Sequence, residues 1–410
     1  MSLLRAKTFL VLLGLSALHG QLPVELEEDP EAPGWHERSL EHDDLTRWYL
    51  IYRPTDLPAN APVVILLHGG GGGMRTTFRE NRGATLRWPY LAEEEKFVLV
   101  APNGVDADTG DTYGDSQNWS DLSPRERNGY SMVDDVGFLR KLIDAVVLSE
   151  EADPLRFYFT GVSNGGGMSM RAGIELGGRT AAIATFSSNL TVVDEDIPAP
   201  QRHLAVLICS GTEDPLMKYE GEPDSLRSAE ETVAWWIDAS GAEASPSAQY
   251  LIPDIEADDD CLAYRFDYQA GPGGAPVSFI KVEGGGHGMP SVDYQTAPFW
   301  ENLIGPQCGD FESADVAWEF LRAHSIPLDP RLELQEIAHR EGGFTVQLAV
   351  SGAYPGGNVV IETSDQLDDP DAWAPVLTDV LGDLGELTGQ TVERPAGRLF
   401  FRVCTAPLGR

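Results

Sequence analysis

Along the first three quarters of the chain, short unbroken apolar runs alternate with longer stretches in which apolar residues recur every three or four positions. Residues 63–67, 97–101, 156–160, 204–210 and 277–282 are runs of this first kind, bounded by glycine, proline or asparagine. That is the pattern of strands buried on both faces. Between them, residues 133–147 place Val133, Val136, Leu139, Ile143, Val146 and Val147 near one helical face. Asp134 and Asp135 stand where the helix dipole favours negative charge. Residues 225–239 and 313–324 read as similar helices. Strands alternating with helices predict an α/β fold with a mostly parallel central sheet covered on both faces. Ligands of such sheets bind beyond the carboxyl ends of the strands. His68, Asn103, Ser163 and Asp214 each follow one of these runs within a few residues, so all four are expected at one edge.

After His324 the helical periodicity stops. IPLDPRLE reads as a linker, and FTVQLAV, NVVIETS and RLFFRV, separated by turn residues, read as strands of a small antiparallel, sandwich-like β module. The expected organisation is a signal peptide over 1–20, an acidic lead over 21–46, an α/β domain over 47–325, a linker over 326–332 and the β module over 333–410. The signal-peptide reading rests on Arg5 and Lys7 before the apolar run 9–18, with Ser16, Ala17 and Gly20 near the cut. The run is too short to span a bilayer. It predicts a secreted or periplasmic protein.

Charge narrows the partners. The formal net charge of −36 over 410 residues opposes association with nucleic acid or anionic lipid, which carry the same sign, and no other segment is apolar enough for a membrane helix. Four cysteines, at 209, 261, 308 and 404, form neither a disulfide scaffold nor a zinc motif. Cys209 lies in the apolar LAVLICS. Cys261 and Cys308 flank GGGHG in polar contexts and are the pair expected to join in an exported protein.

The stretch FYFTGVSNGGGM, residues 157–168, runs from a strand into a serine between glycines. Such glycines can mark a simple tight turn. They also match the Gly-x-Ser-x-Gly nucleophile elbow, in which a strained corner between strand and helix exposes the serine hydroxyl. A serine needs a base, a carboxylate to orient that base, and donors for the oxyanion. Ser163, Asp214 and His287 occur in the chain order of α/β-hydrolases. Asp214, in SGTEDPLMKY, is favoured over its neighbour Glu213, although both can be turn acids. His287, in VEGGGHGMP, is loop-borne and flanked by glycines that let a loop fold close. His324 ends an amphipathic helix, a position that the dipole explains. HGGGGG, residues 68–73, lacks the lysine and Ser/Thr of a phosphate-binding loop and fits an oxyanion loop instead. Gly70 and Asn164 are the expected donors, and His68 is expected to be structural. DADTGDTYGD, residues 106–115, is out of register for a calcium loop. Trp119, in QNWS, is expected either as a wall of the substrate cleft or as loop packing.

With these motifs in hand, residues 47–324 resemble the secreted esterases that include polyhydroxybutyrate depolymerases and feruloyl or acetyl-xylan esterases. The resemblance rests on VVILLHGGGG, APNG, MVDDVGFLRKLID, FYFTGVSNGGGMSMR, and SGTEDPLMKY with GGGHGMP. It implies an α/β-hydrolase fold, Ser163 as nucleophile, Asp214 as orienting acid, His287 as base, and cleavage of carboxylic esters, polymeric in some relatives, without metal or organic cofactor. The family often continues the histidine motif with Thr-Trp-Pro-Gly. Here it is Gly288, Met289, Pro290 and Ser291, which puts Met289 at the substrate and leaves an aromatic wall in doubt. The last 80 or so residues resemble β-sandwich modules appended to secreted bacterial enzymes, through VVIETSDQL, Trp373 and LFFRV. A serine peptidase of the same fold, and a non-catalytic polymer-binding protein, are the competing expectations. The choice of ester is expected to lie in loops 104–130 and 288–307, and the oligomeric state is left open.

Overall fold

The structure is a computed structural model. It describes residues 24–123, 133–192, 197–296, 298–328, 331–340, 343–353, 356–364, 374–382, 386–395 and 400–406. The expected signal peptide, Trp373 and part of loop 104–130 lie outside the described residues.

In chain order the strands of the first unit are β1 (Gly34–His42), β2 (Leu45–Arg53), β3 (Val63–Leu67), β4 (Val98–Pro102), β5 (Phe157–Val162), β6 (Ala182–Phe186), β7 (Ala205–Gly211), β8 (Ala248–Leu251), β9 (Leu262–Tyr268) and β10 (Val277–Glu283). Its helices are α1 (Arg87–Glu95), α2 (Asp135–Glu150), α3 (Asn164–Glu175), α4 (Ala229–Ala239), α5 (Pro298–Ile304) and α6 (Ser313–Leu321). The strands form one sheet in the order β1-β2-β4-β3-β5-β6-β7-β10-β9-β8. From β4 to β10 every neighbouring pair is parallel; both flanks are antiparallel. The central strands read as apolar runs because each face meets a helical layer. In β3, Val64 and Leu66 join the core beneath α1 and α6, with Trp88, Phe97 and Trp318, whereas Val63, Ile65 and Leu67 join the core beneath α2, α3 and α4, with Phe138, Met168 and Trp236. The two-residue period of the pleat thus divides one short sequence between two cores.

The lead expected over 21–46 is not separate from the domain. Its second half is β1, registered residue by residue against β2. The strand escapes a simple apolar reading because its buried positions include His36 and His42. Arg47, at the start of β2, is wholly buried and donates to Asp135 Oδ1 at 2.6 Å, with its guanidinium 4.0 Å from the Phe138 ring centroid. Asp135 Oδ2 accepts the Ser120 N–H at 2.8 Å, so this buried ion pair ties the start of α2 to the loop that supports the site.

The second unit contains β11 (Arg331–Arg340), β12 (Gly343–Ser351), β13 (Asn358–Ser364), β14 (Ala374–Val380), β15 (Leu387–Pro395) and β16 (Phe400–Ala406). They form two antiparallel three-stranded sheets, β11-β12-β15 and β14-β13-β16, around Leu348, Val350, Val359 and Ile361. This is the small β module that the sequence predicts. Among the described residues, no helix is long and apolar enough to cross a membrane.

Candidate active site

The chain turns from β5 into α3 at Ser163, whose φ of 57° and ψ of −126° are unusual for a residue with a side chain. Such a conformation costs about 1–3 kcal/mol and persists only where its surroundings enforce it. Here the Ser163 N–H donates to Phe186 O at 2.9 Å, and its carbonyl accepts the Ser188 hydroxyl at 2.6 Å and the Gly167 N–H at 2.9 Å. The flanking glycines follow from close crossing. A Cβ on Gly161 would lie 2.6 Å from Leu67 O, and one on Gly165 would lie 2.2 Å from Leu67 O and 2.4 Å from His68 O. The start of α3 therefore rests directly on the backbone of β3.

Asp214 follows β7 in a turn and is buried, whereas Glu213 is exposed. Its Oδ1 accepts the N–H groups of Leu216 (2.9 Å) and Met217 (2.7 Å). Its Oδ2 lies 2.7 Å from His287 Nδ1. His287 is buried too, and its loop is held by a short ladder: Gly286 N–H to Pro306 O at 2.7 Å and His287 N–H to Ile304 O at 2.5 Å. The run of glycines before it allows that approach, since a Cβ on Gly286 would meet Ile304 O at 2.4 Å and one on Gly211 would meet Gly285 O at 2.2 Å. His324 lies at the opposite edge, where the next residue but one donates to Leu155 O and its ring packs on Phe320.

Ser163, His287 and the backbone of Gly69–Gly72 line one cleft of about 320 Å³. Within the glycine loop, the Gly71 N–H is taken by Gln117 O and the Gly72 N–H by Gly69 O. Among the described residues no acceptor takes the N–H of Gly70 or of Asn164, the two expected oxyanion donors. His68, which also lines the cleft, has both ring nitrogens engaged by backbone: Nδ1 faces Gly69 O at 2.9 Å and Nε2 accepts the Gly104 N–H at 3.0 Å. Asn103 braces the same loop, accepting from Met74 N–H and donating to Thr112 O and Gly114 O. In loop 106–115, Asp106 and Asp111 accept turn amides from Thr109, Tyr113 and Gly114.

Trp119 does not form a wall of the cleft. It is fully buried; its indole N–H donates to His68 O at 3.0 Å, and its backbone N–H and C=O pair with the Asn164 side-chain amide at 2.7 and 3.0 Å. The Asn164 amide also donates to buried Asp121 at 2.9 Å. Trp119 is thus a buttress that links the glycine loop after β3 to the start of α3, which is the packing alternative. Met289 does line the cleft, with Leu216, Trp300 and Leu303. The aromatic side chain absent from the histidine motif is supplied by Trp300 on α5, which motif reading missed; the apolar PFW and LI of PFWENLI were its signal. Cys261 and Cys308 are adjacent as free thiols.

No protein-family model matches the chain. Feruloyl esterase B of Piromyces equi is 29% identical over 204 residues, covering 47% of this chain and 32% of that protein. NocK of Nocardia uniformis subsp. tsuyamanensis, named as an esterase, is 27% identical over 286 residues, covering 65% and 75%. Poly(3-hydroxybutyrate) depolymerase of Ralstonia pickettii is 28% identical over 145 residues, covering 34% and 28%. The chain therefore spans about a third of the length of the feruloyl esterase and of the depolymerase. By its sheet order and its strand-to-helix elbow the chain has the α/β-hydrolase fold, and its sequence is similar to proteins named as esterases and to a polyester depolymerase.

Proposed function

We propose that the protein is a secreted serine esterase that works through an acyl-enzyme. Ser163 Oγ attacks the ester carbonyl while His287 Nε2 takes its proton, and Asp214 holds the imidazole in the tautomer that leaves Nε2 free. The N–H groups of Gly70 and Asn164 stabilise the oxyanion. His287 then protonates the departing alcohol and activates the water that releases the acid. The observation that carries this reading is the buried 2.7 Å contact of His287 with Asp214 in the cleft that Ser163 also lines. Export is part of the proposal and rests on Arg5, Lys7 and the apolar run 9–18.

For the substrate we propose feruloyl or aryl esters of plant polysaccharide, or polyesters of the polyhydroxybutyrate or aromatic type. Support comes from the activities named for the relatives and from the cleft wall of Leu216, Met289, Trp300 and Leu303, which suits an apolar group larger than acetyl. The test is a panel of methyl ferulate, acetylated xylan, polyhydroxybutyrate and a terephthalate ester, run with the wild type and Ser163→Ala. Turnover of at least one ester, abolished in the variant with the fold intact, is the expected result. Activity retained by Ser163→Ala rejects the reading.

A further inference from the structure

Cys261 and Cys308 are both buried, and their sulfurs lie within 4.8 Å of each other and of a carboxylate oxygen of Asp259. Three ligand-type atoms so close raise the question of a metal. The surroundings answer against one. Asp259 Oδ1 accepts the Cys261 N–H at 2.8 Å and Oδ2 accepts the Gly309 N–H at 2.7 Å, so the carboxylate already holds the two cysteine-bearing segments together. The group also offers three ligand atoms among the described residues, one short of the four that a closed structural zinc site uses.

We propose that Cys261 and Cys308 form a disulfide that staples the His287 loop to the sheet. Each cysteine adjoins one side of that loop. Cys261 immediately precedes β9, whose Leu262 is registered with Glu283 at the end of β10. The loop leaves β10 at Gly284, where a Cβ would stand 3.4 Å from the Cys261 Cα. On the other side, Cys308 ends the segment on which the loop rests: its carbonyl accepts the Ser291 N–H at 3.0 Å, and Gln307 Nε2 donates to Met289 O at 2.7 Å. One bond between the sulfurs closes a ring through β9, β10, the His287 loop and α5. It limits how far the imidazole can drift when the ladder at residues 304–306 opens.

Oxidation breaks two S–H bonds and forms one S–S bond. The two electrons and two protons pass to a disulfide oxidant, glutathione disulfide or an exported dithiol–disulfide oxidoreductase, which leaves as two thiols. Burial of both sulfurs makes folding the stage at which the exchange occurs and shields the bond afterwards.

The inference is independent of the esterase reading, because its test reads sulfur connectivity. Full-length protein folded in a glutathione redox buffer is denatured without reductant, alkylated and digested. The expected result is alkylation of Cys209 and Cys404 only, with a Cys261–Cys308 peptide pair that separates on reduction. Cys261→Ser, Cys308→Ser and the double variant should each lower Tm by roughly 10 °C, the scale for a loop of about 48 residues. The double variant should lose no more than either single one, since both remove the same bond. Four alkylated cysteines, a Cys209–Cys308 pair, or free thiols binding zinc stoichiometrically when zinc alone is added would overturn the proposal. Should the serine variants fail to fold, the wild-type peptide map decides.

Discussion

Replacing Asp214 by Asn alters the site by one oxygen-to-nitrogen exchange, and the structure fixes which way the new amide must point. In the wild type, Oδ1 accepts two backbone N–H groups, from Leu216 and Met217, while among the described residues Oδ2 pairs with His287 Nδ1 alone. An amide placed with its NH₂ toward the two N–H groups would set donors against donors in a buried turn, at about 1–3 kcal/mol for each unsatisfied group. The oxygen therefore keeps the turn and the NH₂ faces the imidazole. His287 must then accept at Nδ1 and carry its proton on Nε2, where it cannot act as a base. The expected loss is about 10⁴ in kcat, or roughly 5.4 kcal/mol of transition-state stabilisation. Tm should change little, because both turn bonds survive. Asp214→Ala should match the loss of activity and also lower Tm, since it strands the two amides. Initial rates on a short-chain nitrophenyl ester and thermal melts measure both. An Asn variant within tenfold of wild-type kcat would refute the reasoning that Asp214 sets the tautomer.

Two further outcomes follow from the packing. Gly165→Ala places a Cβ 2.2 Å from Leu67 O, so the start of α3 must lift; a displacement of about 1 Å at the elbow should cut kcat by about 10², with a lower Tm, and unchanged kinetics would contradict the crossing. Trp300→Ala removes the aromatic part of the cleft wall and should reduce kcat/KM for an eight-carbon acyl nitrophenyl ester by about tenfold while sparing the acetyl ester; equal losses on both would show that Trp300 acts on the fold instead.

Much of the architecture was readable because the central strands are buried on both faces and so appear as unbroken apolar runs. The same reading passed over β1 and β2, where His36, His42 and Arg47 occupy buried positions, the central β6, whose buried AIATF is short and interrupted by Thr185, β9, which is mostly half-buried, and β8, whose four residues are all exposed at the sheet edge. Glycine spacing was informative at the site, since the atoms that a Cβ would strike at Gly161, Gly165 and Gly286 are backbone carbonyls. Aromatic positions were less so. Trp119 sits in the polar QNWS and Trp300 in the partly apolar PFWENLI, and only the three-dimensional path shows the first packed against His68 and Asn164 and the second facing the cleft. The preference for Asp214 over Glu213 is likewise expressed in burial, which adjacent acids in one turn do not reveal by type.

The central claim is that Ser163 is the nucleophile, and its most direct measurement is the intact mass of the protein after exposure to a nitrophenyl phosphonate. The account predicts one adduct per chain, located on Ser163, forming in step with loss of ester hydrolysis and absent from Ser163→Ala. Full hydrolysis without an adduct, or an adduct on a different residue that tracks the loss of activity, would contradict it.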